Sequence, residues 1–184
     1  MGEQKERMLR GEWYLDEPEL AEDRRRCQRE LDRFNATGAD DDAERRRVLE
    51  GLLAEFGPGA RVLPRFQCSY GSLIRIGAGS FVNTDAVFMD DAPITLGADV
   101  RIGPRAQLLT ALHPVEDHER RRAGWERPAP VAIGDNAWLG GGVIVCPGVT
   151  VGPNSVVGAG SVVVRDVPDH VFAAGNPARV IRRL

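Results

Sequence analysis

The chain is poor in several things, and each shortage narrows what it can be. Three cysteines stand in 184 residues, Cys27, Cys68 and Cys146, an odd number at wide spacing. That argues against a disulfide framework and a cysteine-rich metal site, and buried reduced thiols are the expectation. Aromatics are only 6% of the residues, so any core must be built from Val, Ile, Leu and Ala. No run reaches the roughly 18 apolar residues of a membrane-spanning helix. The opening stretch MGEQKERMLRGEW has no apolar segment of the secretory kind. A cytoplasmic protein is expected. The net charge of −3 gives no pull toward nucleic acid or an anionic membrane. Histidine is scarcer still: His113, His118 and His170 are the whole supply.

Glycine, by contrast, is plentiful at 21 residues, which suggests many tight corners. Its distribution divides the chain. Residues 1–57 are rich in Arg, Glu and Asp, with apolar residues at helical spacing. Asp16 is placed to cap a helix with Pro18 in its first turn, running to about Phe34 and burying Leu20, Cys27, Leu31 and Phe34. A second helix is expected from about Asp40–Asp42 to Phe56, with Gly57 as its stop. Residues 1–57 thus read as a small helical cap, and 58–184 as a separate β domain.

From about Val62 a six-residue period takes over. Aliphatic or aromatic residues recur at Ile76, Val82 and Phe88, at Leu96, Ile102 and Leu108, and at Ile133, Leu139, Val145, Val151, Val157 and Val163. The residue following each is small or turn-tolerant in the first two places of every three: Gly77 and Asn83, Gly97 and Gly103, Gly134 and Gly140, Gly152 and Gly158. Six is therefore nested in eighteen. That pattern means three short strands per coil, each with a central residue pointing inward, and coils stacked through parallel pairing. The fold expected is mainly β, a left-handed parallel β-helix shaped as a triangular prism.

The repeat breaks twice. Between Met89 and Gly97 the step is eight, which places a bulge at Asp90–Asp91. Between Leu109 and Gly134 a long segment, TALHPVEDHERRRAGWERPAPV, leaves the prism as a protruding loop, 110–131. Inserts in solenoids are where function tends to sit. His113 stands at the root of this one, followed by Pro114, which singles it out from the other two histidines.

At these residues the chain resembles the hexapeptide-repeat acetyltransferases of the maltose, galactoside and nodulation-factor type. The matching pieces are Ser69-Tyr70-Gly71, Asn83 with Asp90-Asp91, Ala111-Leu112-His113-Pro114, Trp138-Leu139-Gly140, Pro147 to Gly152, Gly158 to Val163 and the tail Ala173 to Ile181. Gly11 to Asp16 with the helix after it is similar to this family's N-terminal cap. The resemblance implies acetyl transfer from acetyl-CoA to a hydroxyl of a sugar or related small acceptor, with no metal. It implies His113 as general base, Asn83 and Asp91 as binders of acceptor hydroxyls, and Asp16, Ser69 and Tyr70 lining the acceptor pocket. Trp138 and Ala159 would border the pantetheine arm, and Arg165, Arg179 and Arg182 would meet the CoA phosphates. The chemistry also asks for an oxyanion donor, and a backbone N–H at Gly141 or Gly142 could supply it. A homotrimer is implied, with the CoA cleft between prisms. Two departures leave the acceptor open: Phe81 stands where some sugar-acetylating members carry Tyr, and Val164-Arg165 replaces a common Thr-Lys pair. Competing readings are N-acetylation of an amino sugar or other amine, a zinc-dependent carbonic anhydrase, and a non-catalytic β-helix binding protein.

Overall fold

The computed structural model describes all 184 residues. Three short α-helices precede the solenoid: α1 (Glu3–Leu9), α2 (Pro18–Asn35) and α3 (Asp42–Leu52). The residues expected on the apolar stripe of α2, Leu20, Cys27, Leu31 and Phe34, are all buried. Its start differs from expectation. Glu17 is the cap residue, and it makes no side-chain cap hydrogen bond. The Asp16 carboxylate turns instead to the Arg24 guanidinium, 2.6 Å away. Helix α1 has no clear sequence signal, because its seven residues hold a single buried side chain, Met8. Helix α3 stops at Leu52, short of Phe56. Glu55–Phe56 is already a strand, paired in parallel with Ile74–Ile76. Gly57 is thus a corner of the first coil rather than a helix stop: a Cβ there would lie 2.5 Å from the Ala78 nitrogen of the coil above.

The solenoid has three faces. The first is built from Glu55–Phe56, Ile74–Ile76, Ile94–Leu96, Val131–Ile133 and Thr150–Val151. The second takes Arg61–Val62, Phe81–Val82, Arg101–Ile102, Trp138–Leu139, Val156–Val157 and Val171–Gly175, closed by the antiparallel strand Ala178–Arg183. The third holds Phe66–Cys68, Ala86–Met89, Gln107–Leu109, Ile144–Val145 and Val162–Val163. Within each face neighbouring coils pair in parallel, so like positions stack. Val82, Ile102, Leu139 and Val157 form one inward column, and Phe88, Leu108, Val145 and Val163 another, all buried. Corners from the first face to the second use Gly79, Asp99, Asn136, Asn154 and His170 at positive φ. His170 therefore belongs to a structural corner, where its ring meets Asn154.

Cap and prism share one core. Phe34 of α2 packs edge-on against Phe66, and Phe66 edge-on against Phe88, with centroids 6.5 and 5.2 Å apart. Asn35 adds two hydrogen bonds to the backbone of Phe66, occupying an edge that would otherwise be open to another chain.

Candidate active site

The sequence insert at Asp90–Asp91 turns out to be a buried polar joint. Asp90 is fully buried. Its carboxylate accepts from the backbone N–H groups of Ser69 and Tyr70 at 2.9 and 2.8 Å, with a longer contact to Leu73. One carboxylate thereby fixes the turn of the coil below. An eight-residue step occurs there too, from Cys68 to Ile76. Burial pushes the Asp90 carboxyl up to about 7. Asp91 next to it is buried, with Oδ2 reached by the Ser69 hydroxyl at 3.4 Å.

The loop 110–131 is an ordered hairpin. Ala111–Leu112 pairs antiparallel with Arg127–Pro128, and a short helix α4 (His118–Arg122) forms its tip. His118 lies in that exposed tip. The N-terminal segment adds to the hairpin: Tyr14 and Glu126 exchange backbone hydrogen bonds at 2.9 and 3.0 Å. The Tyr14 hydroxyl then lies 2.8 Å from Glu126 Oε2 and 3.2 Å from Asp91 Oδ1. One phenol proton cannot serve two carboxylates. Burial first, and then the charge of Glu126, raise the proton affinity of Asp91.

His113 lies beside this network, with its side chain about half exposed. Its Nδ1 is 3.3 Å from the Trp125 carbonyl. A carbonyl only accepts, so this contact places the hydrogen on Nδ1 and leaves the Nε2 lone pair free. Nε2 is 4.0 Å from Glu126 Oε1. Tyr70 is held from the other side, its hydroxyl accepting from Arg24 at 2.8 Å, while Arg24 also binds Asp16. Asp16, Ser69, Tyr70, Asp91 and His113 are thus brought into one region, joined by Tyr14, Arg24 and Glu126. Sequence reading missed those three. For Glu126 the one available signal was its place near the returning end of the histidine loop.

The remaining candidates lie elsewhere. Asn83 sits at the corner between the second and third faces, in one column with Gly103, Gly140 and Gly158, and its Oδ1 accepts from Thr84. It is separated from Asp91 by the whole strand Ala86–Met89. Trp138 projects from the second face, more than half exposed. At the adjoining corner the Gly142 N–H is already used, donating to the Pro104 carbonyl at 2.8 Å. That removes Gly142 as an oxyanion donor. Gly141 N–H donates to no group of the chain, and neither does Ala159 N–H in the coil above. Arg165 and Arg179 line one small cleft of about 150 Å³ at the end of the prism. Arg182 is apart from them, over the Phe172 ring. The three arginines therefore do not make a single cluster.

A three-faced parallel solenoid of hexapeptide strands, with one imidazole held on an inserted hairpin, defines the class of hexapeptide-repeat transferases. Comparison with known proteins agrees. Residues 7–57 match the maltose acetyltransferase hexapeptide capping motif and residues 130–165 match bacterial transferase hexapeptide repeats. Nodulation protein L of Rhizobium meliloti is 46% identical over 96% of this chain and 97% of its own length. A maltose O-acetyltransferase structure from Clostridium difficile superposes with a TM-score of 0.96 at 41% identity, covering 98% of this chain and 97% of that one. A galactoside acetyltransferase in complex with coenzyme A superposes at 0.94 with 38% identity, covering 100% of this chain and 92% of that one. The chain belongs to the hexapeptide-repeat acetyltransferase family of the maltose, galactoside and nodulation type.

Proposed function

We propose that the chain is an acetyl-CoA-dependent O-acetyltransferase acting on a hydroxyl of a sugar or related small acceptor. The observation that carries this reading is the contact of His113 Nδ1 with the Trp125 carbonyl at 3.3 Å. With Nδ1–H engaged by the Trp125 carbonyl, Nε2 is a proton acceptor, and Glu126, whose other carboxylate oxygen meets the Tyr14 hydroxyl, links it to Asp91. A sugar hydroxyl is a poor nucleophile at neutral pH, and an imidazole nitrogen can remove its proton as the oxygen attacks. Glu126 Oε1 lies 4.0 Å from Nε2. Asp91 and Ser69 offer acceptors and a donor for neighbouring hydroxyls of the same ring.

Acetyl-CoA supplies an activated acyl group as a thioester. The corner opposite suits it: the unengaged N–H of Gly141 can hold the developing oxyanion, and the unengaged N–H of Ala159 can hold an amide of the arm. Glycine and alanine there leave room for close approach. Trp138 offers a flat apolar wall, and Arg165 with Arg179 offers charge for phosphate.

The Gly141 corner and the His113 hairpin sit on opposite edges of the third face, while Arg165, just past Val162–Val163, stands on the hairpin's edge. At about 3.3 Å per residue, the strand between them separates the edges by roughly 20 Å. One copy cannot bring both to one hydroxyl. A homotrimer in which the Gly141 corner of one copy meets the His113 hairpin of the next resolves this, and Asn83 then joins the acceptor site from the neighbouring copy. The third face supports such packing: Val87, Ile144 and Val162 point outward from it and are half-buried in the isolated chain, whereas the first face presents Glu55, Arg75 and Thr95.

Thiol release from acetyl-CoA, measured with a panel of sugars and amino sugars, tests the proposal. His113→Ala is expected to lose at least about 10²-fold in turnover, the usual scale for a general base, with little change in melting temperature. Equal turnover of the two proteins would refute the mechanism. Preference for amines over hydroxyls in the panel would move the reading to N-acetyl transfer.

A further inference from the structure

Helix α4 supplies an arginine with no carboxylate partner. Its neighbours are accounted for: Arg122 pairs with Glu119, and the Arg121 guanidinium donates to the carbonyls of Pro114 and Val115 at 2.8 and 2.7 Å. The Arg120 guanidinium instead lies over two indoles, its carbon 5.0 Å from the Trp13 centroid and 4.7 Å from the Trp125 centroid. The Arg120 carbonyl accepts from the Trp125 N–H at 3.1 Å as well. Trp125 is the residue whose own carbonyl holds His113 Nδ1. Trp13 belongs to the N-terminal segment, next to Tyr14, which pairs with Glu126.

The geometry points to Arg120 as a positioning residue for His113. It clamps the N-terminal segment to the returning arm of the histidine hairpin through cation–π contacts with both indoles, and so fixes the carbonyl that orients the imidazole. Arg121 completes the clip from the other side, holding the two residues that follow His113. A cation over two indoles makes an effective clamp, because both ring faces attract it and no carboxylate competes for it. The clamp acts on the hairpin and not on the prism. Loosening it lets the ring drift by a fraction of its length while the acetyl-CoA corner stays as it is.

This inference rests on His113 being the base, and the His113→Ala variant tests that separately. The experiment compares steady-state kinetics and melting temperature for Arg120→Ala, Arg120→Lys and Trp13→Ala. Arg120→Ala is expected to lower kcat by about 10- to 100-fold, the scale of a small misplacement of a reacting group. KM for acetyl-CoA and the melting temperature should stay near wild type. Lysine keeps a cation at the two rings, so Arg120→Lys should recover most of the loss. Trp13→Ala removes one face of the clamp and should reproduce the Arg120→Ala phenotype in kcat. Two results would overturn the assignment. One is a kcat for Arg120→Ala within twofold of wild type while His113→Ala is inactive. The other is a fall in kcat matched by a fall in melting temperature that lysine does not correct, which would mark a merely structural role.

Discussion

Asp90 shows most clearly how one residue joins fold and site. Its buried carboxyl, pushed up to about 7, holds the turn that presents Ser69 and Tyr70. The folded chain therefore binds the Asp90 proton more tightly than the unfolded chain, whose carboxyl titrates near the ordinary 3.8. The stability that this proton contributes is complete below pH ~4 and is lost as pH rises through about 7. Melting temperature should fall between pH 5 and pH 8 at constant ionic strength, and Asp90→Asn should flatten that slope while keeping the acceptor of the two short hydrogen bonds. An unchanged slope in Asp90→Asn would place the pH dependence elsewhere. At this scale the sequence announced the residues, because an eight-residue step in a six-residue repeat is visible. Their roles were not legible. Asp90 and Asp91 are adjacent, yet one faces backbone N–H groups and the other faces Tyr14, a residue 77 positions away.

The elements of the prism were readable because a period of six, with small residues after each inward aliphatic, admits few backbones. Coil stacking then makes certain glycines obligatory. A Cβ on Gly77 would lie 2.4 Å from the Gly97 carbonyl oxygen and 2.5 Å from its carbon, both backbone atoms that cannot turn aside. Gly77→Ala should cost about 1–3 kcal/mol, the usual range for overpacking. Gly51, near the end of α3, meets nothing within 4 Å, and Gly51→Ala should gain about 0.5–1 kcal/mol from helix propensity. Denaturant unfolding of the two variants checks the pair, and the same sign for both would contradict the stacking argument. The helical cap was less readable. Leu53 and Phe56 continue the apolar pattern of α3, but tertiary pairing takes Phe56 into the first coil, a competition between local spacing and strand stacking that spacing alone does not decide.

For the whole molecule, the question is where a complete site forms. The Gly141 corner and the His113 hairpin, on opposite edges of the third face, call for a neighbour, and subunit mixing tests it. In the proposed site, His113→Ala removes the base and Trp138→Ala removes a wall of the acetyl-CoA half. Unfolded together and refolded, the two should form mixed trimers in which some interfaces carry both intact halves, with activity well above either variant alone. Activity no greater than the sum of the parents, or a stable active monomer in solution scattering, would show that one copy suffices. No helix of the chain is long and apolar enough to cross a membrane.

By itself the sequence determined the prism, the departure of the hairpin and the place of His113 at its root. Those follow from periodicity and its interruptions, which are local properties of the chain. Only the tertiary structure decided that Tyr14, Arg24 and Glu126 join the site, that Asn83 stands away from Asp91, and that Gly141 rather than Gly142 has a free N–H. Each of these depends on which coil lies above or below, or on how the N-terminal segment crosses the loop. Such contacts join residues tens of positions apart and leave no spacing to read.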